Sequence, residues 1–146
     1  MRRKVVLLLA VVLFVACGRQ SVFSLPVGTC FDDEVAPGEA TAGDEISSVP
    51  IVDCSEPHDN EVFALIDYTE TDVYPGSAAM NETGTELCIE HFDEYVGIGY
   101  LDSELEVFSI TPSEASWNED GDREVICALY NLDLSKLTGS MEGAAR

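Results

Sequence analysis

His58 and Glu61 are the first residues in this chain whose types and spacing could support chemistry. A histidine and a carboxylate three positions apart can share a proton or hold a metal ion when a helix carries both. Here Pro57 precedes the pair and a strand-like segment follows, so the two side chains should point to opposite faces. We therefore expect His58 to cap a turn and Glu61 to pair with the isolated basic residue Arg123.

The acidic stretch after Trp117 alternates side-chain oxygens as the first ligands of a calcium loop do. The position that requires glycine in such a loop holds Arg123, and the twelfth position holds Leu129 instead of glutamate. An EF-hand is thus excluded, and a weak surface calcium site is the only alternative left. The chain has neither the G-x-S-x-G motif of a nucleophile elbow nor a phosphate-binding loop, so no catalytic residue, metal or cofactor is expected.

Trp117 and the turn Asn118–Asp122 form a candidate recognition edge, although packing of the indole in the core is an equally good interpretation. Arg123 is expected to form an ion pair with Glu61 or Asp122, since a guanidinium suits a carboxylate. An enzyme or a metal-dependent factor would instead require His58, Glu61 and Asp122 to converge on an open pocket.

The N-terminal residues predict export. Met1–Lys4 is basic, and Val5–Ala16 is an apolar run without charge that is short for a bilayer-spanning helix. Phe14–Gly18 resembles a bacterial lipobox, in which the cysteine receives a lipid and becomes the first mature residue. We expect residues 1–16 to be a lipoprotein signal peptide, Cys17 to be lipidated, and residues 17–24 to form a short tether.

The remaining cysteines are Cys30, Cys54, Cys88 and Cys127, an even number that predicts two disulfides in an exported domain. Three pairings are possible, and the sequence alone does not choose among them. The elements expected to lie near one another favour Cys30–Cys54 and Cys88–Cys127. Zinc is disfavoured because no two cysteines have the close spacing of a zinc knuckle.

The chain is strongly acidic, with 28 Asp and Glu against 7 Lys and Arg. Three of the seven basic residues lie in the predicted signal peptide, so four remain against 28 acidic residues after its removal. This charge repels nucleic acid and anionic lipid headgroups. It fits either simple solubility or a cationic partner.

Hydrophobic patterning predicts an α+β domain with a small, mostly antiparallel sheet and one main helix packed on it. The helix should be weakened at Gly84 and should end at the glycines that follow it. The domain is expected over residues 25–134, followed by a flexible tail at 135–146. The predicted strands are Val49–Cys54, Glu61–Tyr68, Leu105–Thr111 and Arg123–Leu132, and the predicted helix is Ala78–Tyr95.

Several segments together resemble the septum formation family. They are Val27–Phe31, Val52–Phe63, Cys88, Pro112, Trp117 and Gly121–Cys127. The resemblance covers about Leu25 to Tyr130. It implies an actinobacterial, extracytoplasmic domain that is often carried on a membrane helix or a lipid, and it implies little about chemistry.

The sequence therefore predicts a lipoprotein on the extracytoplasmic face of the cell membrane, acting as a non-enzymatic binding or assembly module. Its expected partners are the membrane, through the lipid, and cell-wall or division proteins, with no nucleic acid. The alternatives are the factor or enzyme that uses His58, Glu61 and Asp122, and a purely structural envelope lipoprotein.

Overall fold

The computed structural model describes residues 19–22, 25–33 and 48–146. The predicted signal peptide at 1–16 and the lipid site at Cys17 lie outside these residues. Among the described residues, six strands form one antiparallel sheet in the order β1-β3-β2-β4-β6-β5. The strands are β1 Arg19–Ser21, β2 Cys30–Phe31, β3 Ser48–Val52, β4 Asn60–Asp67, β5 Leu105–Ile110 and β6 Glu124–Asn131, and helix α1 spans Ser77–Val96.

Strand β6 lies between β4 and β5 and is buried along most of its length. Successive side chains of a strand point to opposite faces. Val125, Cys127 and Leu129 accordingly face the core under α1, while Ile126 and Ala128 face a second core on the other side of the sheet. The predicted α+β fold with one main helix on an antiparallel sheet is confirmed.

Helix α1 buries a stripe of residues at i, i+4 spacing, which is the face that packs on the sheet. The stripe consists of Met80, Gly84, Cys88, Phe92 and Val96. The helix ends at Val96, and its C-cap Gly97 has a left-handed φ of 86° and donates its N–H to the carbonyl of Asp93. No helix in the described part of the chain is both long and apolar enough to cross a membrane.

The two disulfides have the predicted pairing, Cys30–Cys54 and Cys88–Cys127. The second bridge joins α1 to β6 through two cysteines with no exposed surface. The first bridge ties β2 to the loop after β3, next to the start of β4. The four cysteines therefore link the helix to strand β6 and strand β2 to the loop that follows β3.

The structure corrects both expected domain boundaries. Residues 19–21, placed in the tether by the sequence, pair with β3, and Val22 beyond them is buried. The segment 135–146, expected to be a flexible tail, packs on the domain through the buried side chains of Leu137 and Met141. An isolated leucine and methionine in a polar stretch show no periodicity, so the pattern did not predict their burial.

Candidate functional site

Glu61 lies in β4 with no exposed surface and holds the C-terminal segment in place. Its carboxylate accepts hydrogen bonds from the Tyr95 hydroxyl at 2.6 Å, the Met141 N–H at 2.7 Å and the Ser140 hydroxyl. Burial raises the pKa of the Tyr95 hydroxyl, and the hydrogen bond to Glu61 raises it further. The expected pair between Glu61 and Arg123 is therefore wrong, and Glu61 has a structural role.

The Cys30–Cys54 disulfide lies beside Glu61, with sulfur and carboxylate oxygen atoms within 4.8 Å of one another. These residues are the one potential metal-binding cluster in the part of the chain that the structure describes. Both sulfurs are bonded to each other, so neither is a thiolate that could ligate a metal ion.

His58 is fully buried at the turn before β4. Its Nδ1 lies 2.8 Å from the carbonyl oxygen of Glu56, and Nε2 has no hydrogen-bond partner among the described residues. The backbone of His58 exchanges two hydrogen bonds with Leu137, at 3.1 and 2.8 Å. His58 thus packs under the C-terminal segment and exposes no surface to solvent.

Trp117 is 1% exposed and belongs to the core, so its indole does not form part of the candidate recognition edge. The indole N–H donates to the carbonyl of Asp72, and the Arg123 guanidinium stacks 3.6 Å from the ring centroid. Arg123 also donates to the carbonyls of Trp117 and Asp122. Arg123 therefore forms a cation–π contact and backbone hydrogen bonds in place of the expected carboxylate pair.

Asp122 does not approach His58 or Glu61. Its carboxylate accepts from the Ser116 hydroxyl and from the N–H of Glu124. The register pairs Glu124 with Asp67, whereas Glu61 pairs with Leu129, so Asp122 lies at the opposite end of β4. Six residues of strand separate the two ends by about 20 Å. The three groups named for a catalytic or metal-dependent alternative are therefore not brought together.

A surface groove at the C-terminal end of α1 was not predicted from the sequence. It has a volume of about 490 Å³ and lies between the last turns of α1 and a short 3-10 turn at Tyr100–Asp102. The left-handed Gly97 ends the helix and redirects the chain, which brings this turn against the helix flank. We call this the acidic groove; it is lined by Ile89, Glu90, Asp93, Gly99, Tyr100, Leu101 and Asp102.

The lining of the acidic groove combines apolar surface with negative charge. Leu101 is 94% exposed and Ile89 is 38% exposed, although both are large apolar side chains. Glu90, Asp93 and Asp102 contribute carboxylates, and the lining contains no basic residue. Such a surface attracts cations and can bury apolar groups.

Tyr100 anchors the wall of the groove. Its hydroxyl donates to the carboxylate of Glu106, and its ring packs edge-on against Phe92 with centroids 5.5 Å apart. The hydrogen bond to Glu106 and partial burial together raise the pKa of Tyr100 to about 12. The turn that displays Leu101 is therefore fixed to the core on one side.

Two further exposed leucines follow strand β6. Leu132 is 63% exposed, and its N–H donates to the carbonyl of Glu104, just after the 3-10 turn. Leu134 is 65% exposed and has a φ of 61°, a left-handed conformation that a leucine rarely adopts. Local sequence pattern does not distinguish these leucines from core residues, because the turns alone decide that they face solvent.

A family model described as septum formation matches residues 28–146. The chain belongs to the septum formation family. The family's description indicates a role in cell division at the envelope, and the matched range includes the C-terminal segment that packs on Glu61. The two disulfides and the septum formation domain are both consistent with an extracytoplasmic location. Neither curated proteins nor solved structures yield a match to this member of the family.

Proposed function

We propose that this member of the septum formation family is a lipid-anchored, non-enzymatic binding module on the outer face of the cell membrane. The lipid would be carried by Cys17, and the module would act in the assembly of the division or cell-wall machinery. The single observation that carries the binding role is the acidic groove, which sets Leu101, 94% exposed, and Ile89 beside three carboxylates.

A groove that sets exposed apolar side chains beside a few charged groups has the composition of many protein binding sites. The hydrogen bond from Tyr100 to Glu106 and the packing of Tyr100 on Phe92 hold this turn before any partner arrives. A surface fixed in this way costs little conformational entropy on binding.

The catalytic alternative has no comparable support. Among the described residues, His58 and Glu61 are buried under the C-terminal segment, and Asp122 lies at the other end of the sheet. A reaction would need these groups together in an accessible site.

Site-specific photo-crosslinking in cells tests the binding role. A photoreactive amino acid at Leu101 should capture a division or cell-wall protein that mass spectrometry identifies. The matched control is the same amino acid at Val73, which is 75% exposed but lies outside the groove lining. Capture of the same proteins from both positions, or from neither, would contradict the proposal.

The lipid anchor is tested separately. The wild-type protein should fractionate with membranes, and intact-mass analysis should show acylation at Cys17. The Cys17→Ser variant should lose both properties. Membrane association without acylation would refute the anchor, while leaving the crosslinking result at Leu101 to decide the binding role.

A further inference from the structure

We infer that the acidic groove binds a cationic polypeptide segment that carries an apolar anchor, such as a Lys- and Arg-rich amphipathic helix. This inference rests on the proposed binding role and names the chemistry of the partner. Leu101 and Ile89 provide apolar contact, while Glu90, Asp93 and Asp102 provide the negative charge.

The exposed apolar side chains of the groove indicate that the partner carries an apolar anchor. Leu101 is almost fully exposed, and Ile89 of α1 and Tyr100 line the same groove. Water around these side chains is released when an apolar side chain enters the groove, which favours association. Amphipathic helices bind such grooves through apolar residues spaced along one face.

The negative charge of the groove indicates that the partner is cationic. The groove has three carboxylates and no basic side chain, and the chain as a whole has a net charge of −21. Long-range attraction would speed the encounter with a basic partner and repel acidic ones. The three carboxylates do not form a metal cluster, because the only cluster among the described residues is the one at Cys30, Cys54 and Glu61.

Charge also argues against three other occupants. The chain's own segment 34–47 contains four acidic residues and no basic one, so the groove would repel it. A second copy using the same surface would place these carboxylates against each other. Anionic lipid headgroups would be repelled as well.

Binding of designed peptides to the full chain tests the inference. The protein is reconstituted in nanodiscs of zwitterionic phosphatidylcholine, and surface plasmon resonance measures a helical peptide built from leucine and lysine. Two matched peptides replace either every leucine by serine or every lysine by glutamate. We expect only the leucine–lysine peptide to bind, with weaker binding as salt rises from 50 to 200 mM.

Two triple variants of equal charge locate the binding surface. Glu90→Gln, Asp93→Asn and Asp102→Asn together should weaken the leucine–lysine peptide about tenfold, because three exposed ion pairs are lost. The control variant, Glu70→Gln with Glu119→Gln and Asp120→Asn, removes three exposed carboxylates elsewhere and should change binding less than twofold. Leu101→Ser should also weaken binding while leaving the net charge unchanged.

Three outcomes would overturn the inference. Equal weakening by the two triple variants would mean that the peptide responds only to overall charge. Equal binding of the serine–lysine peptide would remove the apolar anchor. Failure of every peptide to bind would reject a cationic polypeptide. The crosslinking test at Leu101 would still report on the binding role itself.

Discussion

The buried carboxylate of Glu61 accepts a 2.7 Å hydrogen bond from the N–H of Met141, 80 residues further along the chain. The Ser140 hydroxyl donates to the same carboxylate from the same segment. At the other end of this segment, the Lys136 ammonium lies 2.7 Å from Asp32 and 2.8 Å from Asp59. The C-terminal segment is therefore fastened to the sheet through one buried and one exposed set of polar contacts.

Glu61→Gln should destabilise the full chain by about 2 kcal/mol, because a buried charged acceptor is lost and some of its donors lose their partners. Urea denaturation followed by circular dichroism measures the change. The control Glu142→Gln removes the same charge from an exposed position in the same segment and should change stability by less than about 0.5 kcal/mol. Equal effects of the two variants would show that the hydrogen bonds to Glu61 do not stabilise the fold.

Gly84→Ala should also destabilise the protein, although alanine favours a helix by about 1 kcal/mol. A Cβ at Gly84 would lie 2.7 Å from Cγ2 of Thr111 and 2.8 Å from Oγ of Ser109, so these two side chains would have to rotate or α1 would have to shift away from the sheet. Overpacking of this kind costs roughly 1–3 kcal/mol, which exceeds the gain in helix propensity.

Two variants check the cause of the Gly84 effect by urea denaturation. Thr85→Ala, at an exposed position of α1, should stabilise the protein by a few tenths of a kcal/mol. Thr111→Ser in the Gly84→Ala background removes the Cγ2 atom and should recover part of the loss. A stabilising Gly84→Ala would mean that the helix does not approach β5 this closely.

Arg123→Lys should destabilise the protein by about 1–2 kcal/mol, since a lysine cannot reproduce a planar stack on Trp117 together with two backbone hydrogen bonds. A double-mutant cycle with Trp117→Phe, measured by circular dichroism, should give a coupling energy of about 1 kcal/mol. A coupling energy near zero would assign the effect of Arg123 to its hydrogen bonds alone.

The central part of the fold could be predicted from the sequence because it depends on local periodicity. The alternation of Val125, Cys127 and Leu129 identified β6, and the apolar stripe of α1 placed Cys88 on the face toward the sheet. Once those two elements were paired, the disulfide between them followed. Strand β2 was missed because a two-residue strand has no measurable period.

The partners of the polar residues could not be predicted, because they depend on contacts between distant segments. Glu61 was assigned to Arg123 on charge alone, but the strand register places Arg123 near Asp67. The C-terminal segment brings the Ser140 hydroxyl to Glu61 instead. The acidic groove was missed for the same reason, since the exposure of Leu101 is set by how the 3-10 turn meets α1.

Glu124→Gln should stabilise the protein at pH 7 by about 0.5 kcal/mol, because Glu124 lies directly opposite Asp67 in the sheet and like charges repel there. Burial raises the pKa of the Glu124 carboxyl, and the charges of Asp67 and Asp122 raise it further. When folding raises the pKa of an acid, the protein loses stability as pH rises from the pKa of the unfolded state to that of the folded state.

The stabilisation by Glu124→Gln should therefore be complete at pH 7. It should disappear below about pH 4, where the Glu124 carboxyl is protonated in both the folded and the unfolded protein. Urea denaturation at several pH values measures it. The exposed Glu119→Gln, which also removes one negative charge, serves as the control at each pH. An advantage that persists at pH 3 would come from packing and would refute the electrostatic cause.

Replacement of both Cys88 and Cys127 by alanine should cost about 4 kcal/mol, because the bridge closes a loop of 39 residues in the unfolded chain. The equivalent pair at Cys30 and Cys54 closes 24 residues and should cost about 3.5 kcal/mol on the same account. Stability is measured in urea, and free thiols are counted by alkylation and mass spectrometry.

Cys54 is more exposed than the two cysteines of the other bridge, so the Cys30–Cys54 bridge should be reduced first by added dithiothreitol. Free thiols at all four positions in the exported wild-type protein would contradict the disulfides and remove the main physical support for a domain held outside the cytoplasm.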